Sequence, residues 1–377
     1  MSSTKPWLQS FAEREAVLLA PYAMFSVEST GRTHPESDHA YRGPFQRDRD
    51  RVLHSSAFRR LSGKMQVFTG DRGDYHRTRL THTMEVSSVA RTLARALRLN
   101  EDLIEAMALL HDIGHPPFGH AGEDALHDCL KDEGGFSHNQ YALTVVEELE
   151  ERYPDFPGLN LTAETLAGQR ARANKIASRS VPLLETQTVD VADSITYNAH
   201  DIDDAVKLGI INVGQLSRVP LAGEALSVVQ SRFTNLSAET LRATLVHQLI
   251  DMQVSAVVAY SGPILKDSPW QNHRDVVAAQ FQLGMTPELS EQKCQLERYL
   301  YQHVYRHEQL LKMRRQGQDQ LRELFDHFVQ QPHLLPLRFA KRIAVVGLRR
   351  AVADYVAGMT DRFCRQQYEL HCWNSGS

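Results

Sequence analysis

Apolar residues recur along this chain mostly at helical spacing. Between His82 and Leu97 they fall three and four positions apart, which places one set on a single helix face: Val86, Val89, Ala90, Leu93, Ala94 and Leu97. Asn100 is a good N-cap for a second helix, because acidic residues follow it in the first turn. The Gly-His-Pro-Pro stretch that begins at Gly114 must end that helix. The pattern therefore predicts two consecutive helices over residues 82–113.

The remainder of the chain shows the same period, and strand-type alternation is hard to find. Further helices are predicted over residues 188–208, 238–260, 289–312, 318–330 and 338–360. Residues 26–46 and 216–224 are rich in loop formers, and there is no repeat or low-complexity tract. The sequence predicts an all-α fold, a single large domain with helical elaborations: an N-terminal extension over 1–45, a core over 46–210, and a C-terminal helical region over 211–377 packed on the core.

Composition narrows the classes of protein that this chain can represent. Its 377 residues are 42% hydrophobic and 23% charged, which excludes a disordered or collagen-like chain. The net charge of -4 gives no global attraction for polyanions, so any phosphate site must be local. Four cysteines without a CxxC pair, and no apolar run near the ~20 residues of a membrane helix, predict a cytoplasmic protein without a membrane partner.

The most informative segment surrounds His111 and Asp112, which end the second helix. Burial of a carboxylate beside an imidazole needs compensation, and a divalent cation satisfies both groups. The alternative is a solvated capping Asp112 with His111 as a core histidine, and the dipeptide alone favours this alternative.

Two further features favour a metal site. His82 lies four residues before Val86 and continues the buried face of its helix. In the predicted helix over 188–208, spacings of four, four and three place four polar residues on one face: Asp193, Tyr197, Asp201 and Asp204. Such a face is usually solvated, but its central tyrosine, with His200 beside it, suits a lined cleft. No GxxxxGK[ST] or GxGxxG motif is present, so nucleotide chemistry would need another device.

Together His82, His111–Asp112 and Asp193 resemble the H…HD…D metal signature of HD-domain phosphohydrolases. More specific runs resemble the deoxyguanosine triphosphate triphosphohydrolase-like (dNTPase) family: residues 45–52, 57–61, 64–68, 77–82, 111–123, 190–197 and 354–361. The likeness covers roughly residues 26–368. It implies an HD-domain helical fold and a metal-dependent enzyme that hydrolyses deoxynucleoside triphosphates, dGTP or several of them, to deoxynucleoside and inorganic triphosphate.

The resemblance also implies roles for residues after the His-Asp pair. His120 and Glu123 correspond to a catalytic dyad, in which the imidazole activates water or protonates the leaving 5′-oxygen. The alternative for this pair is an exposed ion pair on the first turn of a helix. His115 would donate to the α-phosphate and His138 would be a further active-site histidine, whereas both also fit as ordinary loop residues.

Five positions correspond to substrate contacts of the family: Arg79, Gln66, Val67, Tyr197 and Asp201. Arg79 would give phosphate a forked contact, or else pair with a nearby acid. Tyr197 and Asp201 would lie near phosphate and sugar, where the ring would disfavour a ribonucleotide by crowding its 2′-hydroxyl. Gln66 and Val67 would lie beside the base, although a core position suits the valine equally well. Related enzymes place a lysine where this chain has Ser194.

The implied cofactor is one divalent metal ion, and the mixed nitrogen and oxygen ligands do not choose among Mg, Mn, Fe and other transition metals. The family resemblance implies a homo-oligomer, with an effector nucleotide and single-stranded DNA as further partners. Arginine and lysine pairs between residues 314 and 350 could line a polyanion groove, but a solvated helix face explains them better. The alternative functions are phosphohydrolysis of a nucleoside monophosphate, cyclic nucleotide or alarmone, and nucleotide-regulated binding of single-stranded DNA.

Overall fold

The computed structural model describes residues 9–66, 77–174 and 181–372, and this part of the chain contains α-helices but no β-strands. The prediction of an all-α fold is confirmed. The helices are α1 Phe11–Leu18, α2 Pro44–Leu53, α3 Ser56–Arg60, α4 Arg79–Leu97, α5 Glu101–Leu110, α6 His120–Cys129, α7 His138–Thr144, α8 Ala163–Ala173, α9 Leu184–Lys207, α10 Val213–Leu216, α11 Pro220–Arg232, α12 Ala238–Asp267, α13 His273–Ala278, α14 Pro287–Leu300, α15 Glu308–Gln330, α16 Leu337–Val346, α17 Leu348–Ala357 and α18 Asp361–His371.

Local capping defines the two helices that lead to the His-Asp pair. The Thr78 side chain caps α4, which ends at Arg98 in the left-handed conformation with φ 56°. Asn100 then caps α5 by accepting a hydrogen bond from the backbone N–H of Leu103 at 3.2 Å. Both helices agree with the sequence pattern, and α5 leaves His111 at its C-terminal end.

Apolar packing places the start of α4, the end of α5 and the middle of α9 beside one another. One core joins these helices to α12 through buried Leu93, Leu103, Ile195 and Val257. A second core packs α6 against α15 and α17, and a third joins α9, α11, α12 and α14. The second core thus contains residues from both the predicted core region and the predicted C-terminal region, and the division of the chain at residue 210 stays a prediction.

Glycine explains two differences from the predicted helices. The break predicted between residues 312 and 318 is wrong, because α15 continues through Gly317. A Cβ on Gly317 would lie 3.0 Å from the Cγ of Phe118, so this glycine permits close packing inside a helix. Gly347, with φ 84°, instead divides the predicted helix over 338–360 into α16 and α17. The predicted loop over 216–224 is also partly helical, since Pro220 begins α11.

Within the described ranges, every helix is either too short or too polar to cross a lipid bilayer. The cytoplasmic location stays a prediction.

Gly114→Ala is expected to destabilise the fold by about 3 kcal/mol. A Cβ at this position would lie 2.1 Å from the carbonyl oxygen of His138 and 2.5 Å from the nitrogen of Ala142, and backbone atoms cannot move away cheaply. Thermal unfolding would measure the change. Gly262→Ala in α12 is the matched control, because its Cβ would meet only Leu97 at 3.8 Å and should leave the melting temperature unchanged or higher. Equal melting temperatures for Gly114→Ala and the unaltered protein would contradict the contact.

Candidate metal centre and active site

Three of the four predicted metal ligands converge from three helices. Nε2 of His82 lies 3.2 Å from Oδ1 of Asp193, and Nε2 of His111 lies 3.7 Å from the same oxygen. The three ligand atoms are all within 4.8 Å of one another. Both imidazoles are buried, whereas the Asp193 side chain is 24% exposed.

The fourth predicted ligand, Asp112, lies next to this group and outside it. Its Oδ1 is 3.4 Å from Nε2 of His111, and its Oδ2 accepts a hydrogen bond from Nη1 of Arg79 at 2.8 Å. Burial alone would raise the pKa of Asp112, but the neighbouring His111 and the charge of Arg79 hold that pKa well below its usual range. Arg79 therefore makes the ion pair that the sequence left as the alternative to phosphate contact.

Arg172 orients the carboxylate of Asp193. Nη2 of Arg172 donates to Oδ2 at 2.6 Å, which leaves Oδ1 directed at the two histidines. Burial would raise the pKa of Asp193, but the neighbouring His111 and His82 and the charge of Arg172 lower it well below the usual value. Arg172 comes from α8, and a single sequence carries no signal for this contact between helices.

The donor set fits a divalent cation. Nδ1 of His111 lies 2.6 Å from the carbonyl oxygen of Ala108 and donates to it, which assigns the ring proton to Nδ1. Nε2 is then an acceptor, and it is buried without a hydrogen-bond partner. An orphaned buried acceptor is costly, and a cation beside Asp193 would satisfy it. Imidazole nitrogens with a carboxylate oxygen suit several divalent metals, so the metal's identity stays open.

All four predicted catalytic residues form a second group beside the first. Oε1 of Glu123 accepts from Nδ1 of His138 at 2.7 Å, and Oε2 accepts from Nδ1 of His120 at 3.1 Å. The rings of His115 and His138 stack with centroids 3.8 Å apart. Nε2 of His115 lies 3.2 Å from Oδ1 of Asp112, which joins the two groups.

Electrostatics in the second group keep a carboxylate ionised between imidazoles. Burial alone would raise the pKa of Glu123, but the hydrogen bonds of His120 and His138 lower it well below its usual range. Burial and the charge of Arg79 lower the pKa of His115, so this imidazole is neutral. The four ligand atoms lie within 4.8 Å of one another. Because both oxygens of Glu123 are already engaged and two of the rings are stacked, this arrangement suits proton transfer better than metal binding.

Two charged residues hold the loop that carries these groups. Nζ of Lys64 donates to the carbonyl oxygen of His115 at 2.5 Å. Oδ1 of Asp361 accepts from the backbone N–H of Phe118 at 3.0 Å. Both residues lie in runs that resemble the family, but their contacts with the loop were not predicted.

Comparison with known proteins identifies the family. Residues 79–198 match the HD domain, and residues 283–370 match the phosphohydrolase-associated domain. The chain is 42% identical over 367 residues to the deoxyguanosinetriphosphate triphosphohydrolase-like protein of Azoarcus sp. (strain BH72), covering 94% of this chain and 97% of the relative. The chain belongs to the deoxyguanosinetriphosphate triphosphohydrolase-like family.

Other members of the deoxyguanosinetriphosphate triphosphohydrolase-like family show the same extent of similarity. The protein of that name from Thiobacillus denitrificans is 42% identical over 361 residues, with 93% of this chain and 96% of the relative covered. The one from Leptospira interrogans is 38% identical over 369 residues, covering 95% and 97%. The resemblance predicted from the motifs is confirmed, and the chain is a hydrolase of the HD-domain phosphohydrolase class.

A cavity of about 580 Å³ lies between α9 on one side and α14 with the chain that follows it on the other, and none of His82, His111 and Asp193 is among its lining residues. Ser194 and Tyr197 line it from α9, and Tyr305 lines it from the opposite side. The Tyr305 hydroxyl donates to Oδ2 of Asp201, which lies buried beneath it, and burial raises the pKa of Asp201 to about 7. Tyr197 therefore lines the cavity, whereas Asp201 contacts it through Tyr305, and the substrate roles of Tyr197 and Asp201 stay predictions.

A lysine from another helix contacts Ser194, the residue that follows Asp193. Nζ of Lys293, in α14, donates to Oγ of Ser194 at 2.6 Å. The ammonium group therefore lies next to the residue at which the family pattern has its lysine. The sequence offered no signal for this pairing across 99 positions.

The two predicted base-side residues have different outcomes. Gln66 is buried, and its Oε1 has no hydrogen-bond partner. The backbone carbonyl oxygen of Gln66 lies 3.2 Å from the point that a Cβ would occupy on Gly119, so Gln66 lies beside the start of α6. Val67 lies outside the described residues.

Proposed function

We propose that this protein hydrolyses deoxynucleoside triphosphates, dGTP or several of them, to deoxynucleoside and inorganic triphosphate with a bound divalent cation. The observation that carries the proposal is the pair of adjacent groups: the ligand group His82, His111 and Asp193, and the proton-transfer group around Glu123. They meet through Asp112 and His115. The names of the relatives support the same substrate class.

His82, His111 and Asp193 would hold the cation, and the carboxylate would balance part of its charge. When bound, a divalent ion would supply positive charge that polarises the α-phosphate. His82 and His111 contribute neutral nitrogens, and Asp193 contributes an ionised oxygen that Arg172 keeps oriented. Asp112 and Arg79 add a buried ion pair at its edge.

The second group manages the protons of the reaction. Water attacks the α-phosphorus and the bond from phosphorus to the 5′-oxygen breaks, so that water loses a proton and the 5′-oxygen gains one. The His120 side chain is 53% exposed and is held by the Glu123 carboxylate, so it can carry a proton at Nε2 in either step. His138 fixes the other oxygen of Glu123 and thereby limits its rotation.

The cavity suits a nucleotide that carries several negative charges. A volume of about 580 Å³ lies within the range of small-molecule sites. Arg298 brings a cationic side chain from α14, Lys293 contacts Ser194 of the lining while paired with Glu297, and Tyr197, Tyr301 and Tyr305 bring aromatic rings. These side chains can contact phosphates and the nucleoside, respectively.

Product analysis tests the proposed function. Purified protein with Mg²⁺ or Mn²⁺ should convert each accepted dNTP to deoxynucleoside and intact triphosphate, seen by ion-exchange chromatography and ³¹P NMR. Release of monophosphate with pyrophosphate, or of diphosphate with phosphate, would reject the proposed bond. A panel of nucleoside monophosphates, cyclic nucleotides and alarmones tests the alternative substrates.

Tyr197→Ala is expected to raise kcat/KM for a ribonucleotide relative to its deoxyribonucleotide by roughly tenfold, because the missing ring no longer crowds the 2′-hydroxyl. Tyr197 faces the cavity and its ring stacks on Tyr305 at 6.3 Å between centroids. Competition assays with GTP and dGTP would measure the ratio. Tyr197→Phe keeps the ring and should keep the ratio, and an unchanged ratio in the alanine variant would contradict this role.

Several of the basic residues considered for single-stranded DNA binding make contacts within the chain. Arg314 pairs with Asp124 at 3.2 Å, and Arg342 pairs with Asp354 at 2.6 Å. These contacts favour a structural role over a polyanion groove. DNA binding, an effector nucleotide and homo-oligomerisation stay predictions.

A further inference from the structure

The ligand role of His82 sets a requirement for its second ring nitrogen. Nε2 faces Oδ1 of Asp193 at 3.2 Å, so Nε2 is the nitrogen on the metal side. A neutral imidazole can bind a cation through Nε2 only when its proton is on Nδ1. The ring is 1% exposed, and the buried Nδ1–H therefore needs an acceptor within the protein.

His200 provides that acceptor. Its Nδ1 lies 3.4 Å from Nδ1 of His82, and the two rings are nearly perpendicular, with an angle of 78° between them. His200 is in α9, seven positions after Asp193, and is itself buried. Only one of two facing nitrogens can hold the shared proton. If His82 donates, the proton of His200 must be on Nε2.

Glu85 completes the order of protons. Nε2 of His200 lies 3.0 Å from Oε2 of Glu85, and an ionised carboxylate can only accept. Nη1 of Arg77 donates to the same oxygen at 2.5 Å and fixes its position. Glu85 thus favours a proton on Nε2 of His200, which leaves Nδ1 of His200 free to accept from His82.

His111, the second ligating histidine, has a backbone acceptor for its Nδ1–H instead of a side-chain acceptor. Nδ1 of His111 donates to the carbonyl oxygen of Ala108 at 2.6 Å, a backbone contact that side-chain substitutions leave in place. For His82 the corresponding contact is made by side chains, so it can be changed without touching a metal ligand.

We propose that His200, supported by Glu85, is a positioning residue of the metal centre that fixes the ring orientation and tautomer of His82. The proposal rests on the proposed function, because it assumes the cation site at His82, His111 and Asp193. His200 touches neither the substrate nor the cation. Loss of such a partner typically lowers metal affinity by about 10- to 100-fold.

The test measures Mn²⁺ affinity by isothermal titration calorimetry on chelator-treated, full-length protein without nucleotide. His200→Leu removes the acceptor and is expected to weaken Mn²⁺ binding by about 10- to 100-fold. His200→Asn carries a side-chain oxygen close to the former Nδ1 and should restore most of the affinity. Glu85→Gln keeps an acceptor oxygen and should resemble the unaltered protein. His127→Leu removes a histidine on α6 that contacts the Phe136 carbonyl oxygen, and it should leave Mn²⁺ binding unchanged.

Each outcome has a distinct meaning. Weak binding by His200→Leu with recovery in His200→Asn would support the proposal, because a purely structural effect of losing the ring would persist in the asparagine variant. Equal loss in both variants, or full affinity in His200→Leu, would overturn it. Absence of Mn²⁺ binding by the unaltered protein would overturn the metal centre together with this role. Products other than triphosphate would overturn the proposed function alone.

Discussion

Asp193→Ala is expected to abolish metal binding and to reduce dNTP hydrolysis by at least about 1,000-fold, the scale of several kcal/mol supplied by a catalytic metal. Oδ1 of Asp193 is the point that the nitrogens of His82 and His111 share, so its loss removes the only carboxylate oxygen in the three-residue group. Elemental analysis after dialysis would report bound metal, and steady-state assays would report turnover.

Asp190→Ala is a matched control for this prediction. Asp190 lies one turn earlier in α9 and contacts the same arginine, with its Oδ1 2.5 Å from Nη1 of Arg172. Each substitution leaves Arg172 with one of these two carboxylates, which limits the cost of an uncompensated buried charge. Asp190→Ala should retain metal and turnover. If both variants lose metal equally, the effect passes through Arg172, and Asp193 is not a ligand.

Glu123→Gln is expected to lower kcat by about 10²–10⁴-fold while bound metal stays unchanged. The ionised carboxylate accepts from His120 and His138 together, and it stabilises positive charge on the imidazole that carries the proton. A neutral amide keeps the size of the side chain but cannot accept from both rings with equal strength. Steady-state kinetics and elemental analysis of the same preparation would separate turnover from metal content.

A surface glutamate controls for the change in charge. Glu147 makes an exposed ion pair with Arg170, so Glu147→Gln should alter neither kcat nor metal content. Full turnover in Glu123→Gln would contradict the proposed dyad. Loss of bound metal in that variant would instead assign Glu123 to the cation.

The sequence alone predicted those structural features that depend on residues close together in the chain. The cap at Asn100, and the apolar face that contains His82, follow from residues within a few positions of each other. They place His111 at a helix end, and the motif likeness then supplies the expected metal and proton-transfer roles. Because such signals depend on short-range spacing, they survive in a single sequence.

Contacts between distant helices could not be predicted in the same way. Lys293 reaches Ser194, Arg172 reaches Asp193, and His200 reaches Glu85, each pair being far apart in the sequence. Spacing determines which face of a helix a residue occupies, but the packing of one helix on another decides what that face meets.

The prediction of helix boundaries at glycines is limited in the same way. Gly119, with φ 59°, begins α6, and a Cβ there would lie 2.8 Å from Nη2 of Arg79. Gly317 lies within a helix, and the absence of a side chain there leaves room for the ring of Phe118. The sequence allowed a helix to begin after Gly119, but it also predicted a break near Gly317, and the close packing on Phe118 shows that this second glycine lies within a helix.

Hydrolysis in ¹⁸O-labelled water, with mass spectrometry of both products, tests the central claim most directly. Attack on the α-phosphorus with release of the 5′-oxygen predicts one labelled oxygen in inorganic triphosphate and none in the deoxynucleoside. Label in the 5′-hydroxyl of the deoxynucleoside, or in a monophosphate, pyrophosphate or orthophosphate product, would contradict it.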